Sequence, residues 1–122
     1  MRAKIVLPGR PVPKKNNSVM VAKRNLILPS KAYREYEKQC CNILAFSYRG
    51  PKFFGPVRLT ARYWLPDRRW WPDLVGLLQA TQDILQKAKV IDNDQKVVRV
   101  DGSEIAGLDK GNPRAEIEIE EV

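Results

Sequence analysis

The stretch from residue 57 to 65 constrains this chain most. Val57, Leu59, Ala61, Tyr63 and Leu65 alternate with Arg58, Thr60, Arg62 and Trp64, a period of two that suits a strand with one buried face. The outer face is basic and aromatic. After the turn Pro66-Asp67-Arg68-Arg69-Trp70-Trp71-Pro72, a second pattern begins: Leu74, Leu77, Leu78, Thr81, Ile84, Leu85 and Ala88 recur at helical spacing, predicting a helix from about Asp73 to Lys87. Asp73 and Asp83 lie off its apolar side. A half-buried strand and an amphipathic helix each have one apolar side to bury, so the chain must contain both kinds of layer.

The remaining segments fit around this unit. Residues 3–7 read as a short strand, and Pro8, Gly9, Pro11 and Pro13 then force an extended loop carrying Lys14, Lys15, Asn16 and Asn17. Residues 18–28 predict a hairpin turning at Arg24-Asn25. Ser30 is placed to cap a helix over 31–48, with Tyr33, Tyr36, Cys40, Ile43 and Leu44 as its core stripe, and Gly50-Pro51 ends it. Residues 89–94 form a loop bearing Asp92, Asn93 and Asp94, residues 95–100 a strand, and residues 114–121 a last strand with Ala115, Ile117 and Ile119 on one face. This order lacks regular β-α alternation. The expected class is therefore α+β, a mixed sheet with two main helices.

At 122 residues and 43% hydrophobic content, the chain is sized for one domain spanning 1–122. No apolar run is long enough for a membrane span and the first residues do not resemble a signal peptide, so a cytoplasmic protein is expected. Cys40 and Cys41 are adjacent, and helical neighbours point about 100° apart, which suits them poorly to bridging each other. The chain has no histidine, which removes His-based zinc sites and Ser-His-Asp triads together. Any chemistry falls to carboxylates, lysines or hydroxyls.

The net charge of +8 is unevenly spread, since no acidic residue precedes Glu35. A one-signed block of this length reads either as the footprint of a polyanionic partner or as a solvated surface that keeps the protein soluble. Phosphodiester cleavage would need an oxygen-rich cage for Mg²⁺, a hard ion usually anchored by one or two carboxylates while it keeps several waters. Asp73, at a helix start beside free backbone N–H groups, and Asp94, in the following loop, are the natural pair. Each alone is also an ordinary cap or turn residue.

The combination is more specific. Pro66-Asp67-Arg68-Arg69, Asp73-Leu74-Val75-Gly76-Leu77, Asp83-Ile84-Leu85 and Asp92-Asn93-Asp94-Gln95-Lys96-Val97-Val98 together resemble the RusA family of Holliday-junction resolvases. That family has an Arg-rich turn, an Asp-Leu-Asp-Asn helix start, an Asp-x-Leu further along and an Asp-Asp-x-Gln-Val-Val segment. Pro11 to Asn17 is similar to its opening loop, and the likeness runs from about residue 5 to 120. The resemblance implies a RusA-like homodimer of phage or prophage origin that nicks four-way junctions with Mg²⁺, Mn²⁺ being a possible substitute, and that has no small-molecule cofactor and no membrane partner.

Carried over by position, the family's first helix-start aspartate falls on Asp73 and its second loop aspartate on Asp94, with Asp92 or Asn93 near the other loop acid. The second helix-start aspartate falls on Val75, the asparagine on Gly76 and the functional lysine on Gln79. The Asp-Leu-Val start, Asp101-Gly102-Ser103 and Asp109-Lys110-Gly111-Asn112-Pro113-Arg114 are similar to phage relatives, so Val75 is read as a branch feature. Asp83, about 15 Å along the helix from Asp73, is too far to replace the absent ligand directly. The expected catalytic and metal set is Asp73, Asp92 and Asp94. Lys14, Lys15, Asn16, Asn17, Arg68, Arg69 and Trp70 are the expected DNA contacts, with one of Trp70 and Trp71 wedging or stacking on unpaired bases and the other packing against the sheet. Two rivals remain: a catalytically impaired junction-binding protein on the same fold, and an RNA-binding module, for which no aromatic RNP or Gly-x-x-Gly signature is evident.

Overall fold

The computed structural model describes residues 1–14, 18–21 and 26–122, with only the backbone course given for 18–21 and 26–29. Strand β1 (Arg2–Pro8) leads to a hairpin of β2 (Ser18–Val21) and β3 (Leu26–Pro29), then helix α1 (Lys31–Ser47), strand β4 (Val57–Leu65) and helix α2 (Leu74–Lys87). A 3-10 turn (Asp94–Lys96) precedes β5 (Val97–Arg99), β6 (Glu104–Leu108) and β7 (Arg114–Glu121). The main sheet runs β1-β7-β4, with β5 and β6 both on the far side of β4. β7 is antiparallel to β1 and β4, whereas β5 and β6 run parallel to β4. The architecture is α+β with a mixed sheet, as the patterning predicts.

Both helices cover one face of this sheet. The alternation of β4 sends Val57, Leu59, Ala61, Tyr63 and Leu65 to the core, where they meet Ile5 and Leu7 of β1 and Ala115, Ile117 and Ile119 of β7. α1 contributes Tyr36, Cys40 and Leu44, and α2 contributes Leu77, Ile84 and Leu85. Ser30 caps α1 as expected, its hydroxyl accepting from Tyr33 N–H at 3.2 Å. One polar pair is buried in this core: the Tyr63 hydroxyl lies 2.7 Å from Thr81 Oγ1, which donates to the Leu77 carbonyl, so burial leaves neither group unsatisfied. Cys40 and Cys41 are free thiols, and burial pushes Cys40 up to about 12.

The opposite face meets solvent and is laced with charge. Arg2 faces Glu120 and Lys4 faces Glu118 across the β1–β7 ladder, with ion pairs of 3.3 and 3.5 Å. Arg114 stacks 4.2 Å above Trp64 and pairs with Asp109 and Glu116. The acid-free N-terminal block is thus partly neutralised in space by glutamates near the C-terminus. β6 is the element the pattern does not announce. Gly107 breaks its alternation, and its register against β4 shifts between Tyr63 and Trp64, so no period of two survives to be read.

Candidate functional site

α2 organises the residues of interest. Asp73 is its N-cap, with Oδ2 accepting from Gly76 N–H at 3.1 Å. Gly76 itself is buried, and a Cβ there would stand 2.6 Å from Asp73 Oδ1 and 3.0 Å from Pro13 Cβ. A side chain at this position, such as the asparagine of the resembled family, would press on both the capping carboxylate and the opening loop. The glycine therefore has a local reason here. The opening loop is tied to the same helix: Lys14 N–H reaches the Gly76 carbonyl at 3.4 Å and its ammonium meets Asp83 Oδ2 at 2.6 Å.

That ion pair changes what Lys14 offers to DNA. Its charge is already held by Asp83, while Lys15, Asn16 and Asn17, the other expected contacts of this loop, lie outside the described residues. In anisotropy titrations from about 50 to 200 mM salt, Lys15→Gln is expected to flatten the slope of log affinity against log salt by about one. Lys14→Gln is expected to leave the slope nearly unchanged. Equal flattening by both would show that DNA draws Lys14 away from Asp83.

The turn between β4 and α2 is clamped by a residue to which the sequence assigns no role. Arg10 donates from Nη2 to both oxygens of Asp67, at 3.0 and 2.9 Å, and from Nη1 to the Arg69 carbonyl at 3.0 Å. Asp67 Oδ1 also accepts from Arg69 N–H at 2.9 Å. That backbone hydrogen bond, with the guanidiniums of Arg10 and Arg69, holds the Asp67 carboxyl below its ordinary value. The clamp supports a strained residue: Trp70 has φ 54°, a left-handed conformation that costs a bulky residue about 1 kcal/mol or more. Trp70 is 86% exposed and Trp71 50%. Neither packs into the sheet, contrary to the division of labour expected for them. Arg68 and Arg69 are exposed alongside.

The other acids sit at the far end of α2. Phe53, wholly buried, forms a parallel bridge with Ile91. Its N–H donates to Val90 and its carbonyl accepts from Asp92 N–H, both at 2.9 Å. Asp94 N–H donates to Gln86 Oε1 at 2.8 Å. Both Asp92 and Asp94 are exposed. At 1.5 Å per residue, about 20 Å of helix separates the Asp73 cap from Gln86. Among the described residues no three His, Cys, Asp or Glu are arranged to hold a metal ion. Asp73, Asp92 and Asp94 of one chain are thus not gathered round one point, and this set does not fit a single shared ion.

The helix face nevertheless links the two ends. At 100° per residue, Val75, Gln79, Gln82 and Gln86 fall on one stripe, so the acid segment approaches α2 on the side that presents Val75 and Gln79. Val75 is 67% exposed, and Gln79 is exposed too. A carboxylate or lysine at those positions would face outward on this stripe, and here both places are uncharged.

The family model of Endodeoxyribonuclease RusA matches residues 8–120, a span that takes in the opening loop, both helices and the acid segment and leaves out all of β1 but Pro8 and the last residue of β7. The chain belongs to the RusA endodeoxyribonuclease family. Nucleases of this family act on branched DNA junctions and are generally dependent on a divalent metal. No curated protein matches the chain. Among the described residues, no helix is long and apolar enough to cross a membrane.

Proposed function

We propose that this chain is a structure-specific endodeoxyribonuclease that resolves four-way junctions as a homodimer, using Mg²⁺ or Mn²⁺, with Asp73, Asp92 and Asp94 as its acidic machinery. The family match over residues 8–120 carries this reading. Two supporting features are the exposed acids at both ends of α2 and the arginine-bearing turn beside Asp73. Resolution requires two symmetric nicks, which a twofold dimer supplies from one gene. A second copy also answers the separation of the acids. In a twofold pairing the N-terminal end of one α2 can be brought to the acid segment of the other. Arg68, Arg69, Lys15, Asn16 and Asn17 then serve to hold phosphates, and Lys14 does so only if released from Asp83.

A second reading is favoured by the uncharged stripe: a junction-binding protein on this fold whose cleavage is impaired by Val75 and Gln79. Cleavage of a labelled four-way junction at low salt, with linear duplex as control, separates the two. Paired nicks that need Mg²⁺ or Mn²⁺ and vanish in Asp73→Asn are the expected result. Tight junction binding with no nick under either metal would replace the nuclease by the binding protein.

A further inference from the structure

The clamped turn and the opening loop enclose a cleft of about 400 Å³ whose walls include Pro11, Pro13, Trp70, Trp71 and Pro72, with Arg10 at its edge. This volume lies within the range of about 300 to 1,000 Å³ typical of ligand sites. Among the described residues that line it, Arg10 is the one ionisable side chain, and flat aromatic and proline rings predominate. Such walls suit the faces of a planar, uncharged ring. The surroundings suit a polyanion, because three guanidiniums, those of Arg10, Arg68 and Arg69, border the same turn and Asp67 pairs with Arg10 and Arg69 at once, leaving the turn with net positive charge. A second copy of this chain is a poor occupant, since docking this edge on itself would bring these cations together.

We infer that this cleft takes one unpaired nucleobase from the branch point of a DNA junction, stacked on Trp70 and set against Pro11 and Pro13, while Arg68 and Arg69 hold its flanking phosphates. The inference rests on the junction-nuclease reading and adds a base-capture subsite to it. Stacking on an indole face tolerates any base, so capture selects for an unpaired nucleotide and not for a sequence. Pro72 forms part of the wall and Asp73 follows it directly, so a captured base lies beside the helix cap. The clamp explains how the site is kept open. Arg10 and Asp67 hold Trp70 in its left-handed conformation before any DNA arrives, so the platform does not have to be ordered on binding.

The test is a cycle between protein and DNA. Affinities of the full chain and of Trp70→Ala are measured for a four-way junction and for a single-stranded oligonucleotide, each with intact bases and with abasic nucleotides, at the branch point in the junction. Removing the bases is expected to weaken the unaltered chain about tenfold, the scale of base–aromatic stacking, and to leave Trp70→Ala unaffected. Trp70→Phe should restore the sensitivity. Trp70 is exposed, so its removal spares the core, and circular dichroism verifies this. If the two losses multiply on both DNAs, the cleft does not hold a base, and the inference fails even where the junction is bound and cut. Junction preference over duplex is read separately in the unaltered chain. Its absence would sink the junction-nuclease reading, while the single-stranded arm still decides whether the cleft captures a base.

Discussion

Subunits carrying Asp73→Asn, mixed with subunits carrying Asp94→Asn, are expected to regain nicking that neither variant shows alone. Each pure variant should lose about a hundredfold or more, the scale on which removal of one preorganised charged or donor group is felt. The recovery follows from where the acids lie. Asp73 caps one end of α2 and Asp94 is tied by its N–H to Gln86 near the other, so a site using both draws them from two chains. A mixed dimer then contains one site with both acids and one with neither. With random pairing, half the dimers are mixed and about a quarter of all sites are whole. The products should also change in kind: a mixed dimer makes one nick, so junctions accumulate nicked and unresolved. A mixture as inactive as its components would mean that the acids act within one chain, and full activity of Asp94→Asn alone would remove that residue from the machinery.

Local features of this fold were legible in the residues. The alternation of β4, the stripe of α2, the pairing of β2 with β3 and the Ser30 cap each follow from contacts within a few positions, and the structure reproduces them; the turn expected at Arg24-Asn25 lies outside the described residues. The expected strand over 95–100 is shorter than read, because Asp94–Lys96 turns as a 3-10 segment before β5 begins. Pairings between distant positions were not legible. Arg10 meets Asp67 from 57 residues away and Lys14 meets Asp83 from 69, and no spacing rule links such positions. These contacts change the functional meaning of the basic block, since Arg2, Lys4, Arg10 and Lys14 all face acids. The placement of Asp94 was hidden for a related reason. A loop of six residues can in principle run back along a helix, and what keeps it at the far end are its bonds to Phe53, Leu85 and Gln86 and the burial of Val90 and Ile91. Gly76 was readable as a missing asparagine, but not as the position where a Cβ would meet the Asp73 carboxylate.

The acid segment leans on the core that holds the Phe53 ring, and Phe53→Ala is expected to be the most destabilising single change near the site. Phe53 is fully buried in the same core as Leu85, Val90 and Ile91. Truncating a buried phenylalanine costs about 3–5 kcal/mol through lost transfer energy and the cavity left behind. For a domain whose whole stability is about 5–15 kcal/mol, that is a large share. Phe54 provides the control, since its ring is 63% exposed with Lys52 5.1 Å above it, and Phe54→Ala should cost no more than about 0.5 kcal/mol. Urea titrations at low temperature measure both losses. A loss of under about 1 kcal/mol for Phe53→Ala would contradict its burial. The effect on function should exceed the unfolded fraction, because the backbone of Phe53 also sets the register of Val90 and Asp92. Where both variants remain folded, Phe53→Ala should nick junctions more slowly than Phe54→Ala while binding them equally well. That split would separate the placing of the acids from the holding of DNA.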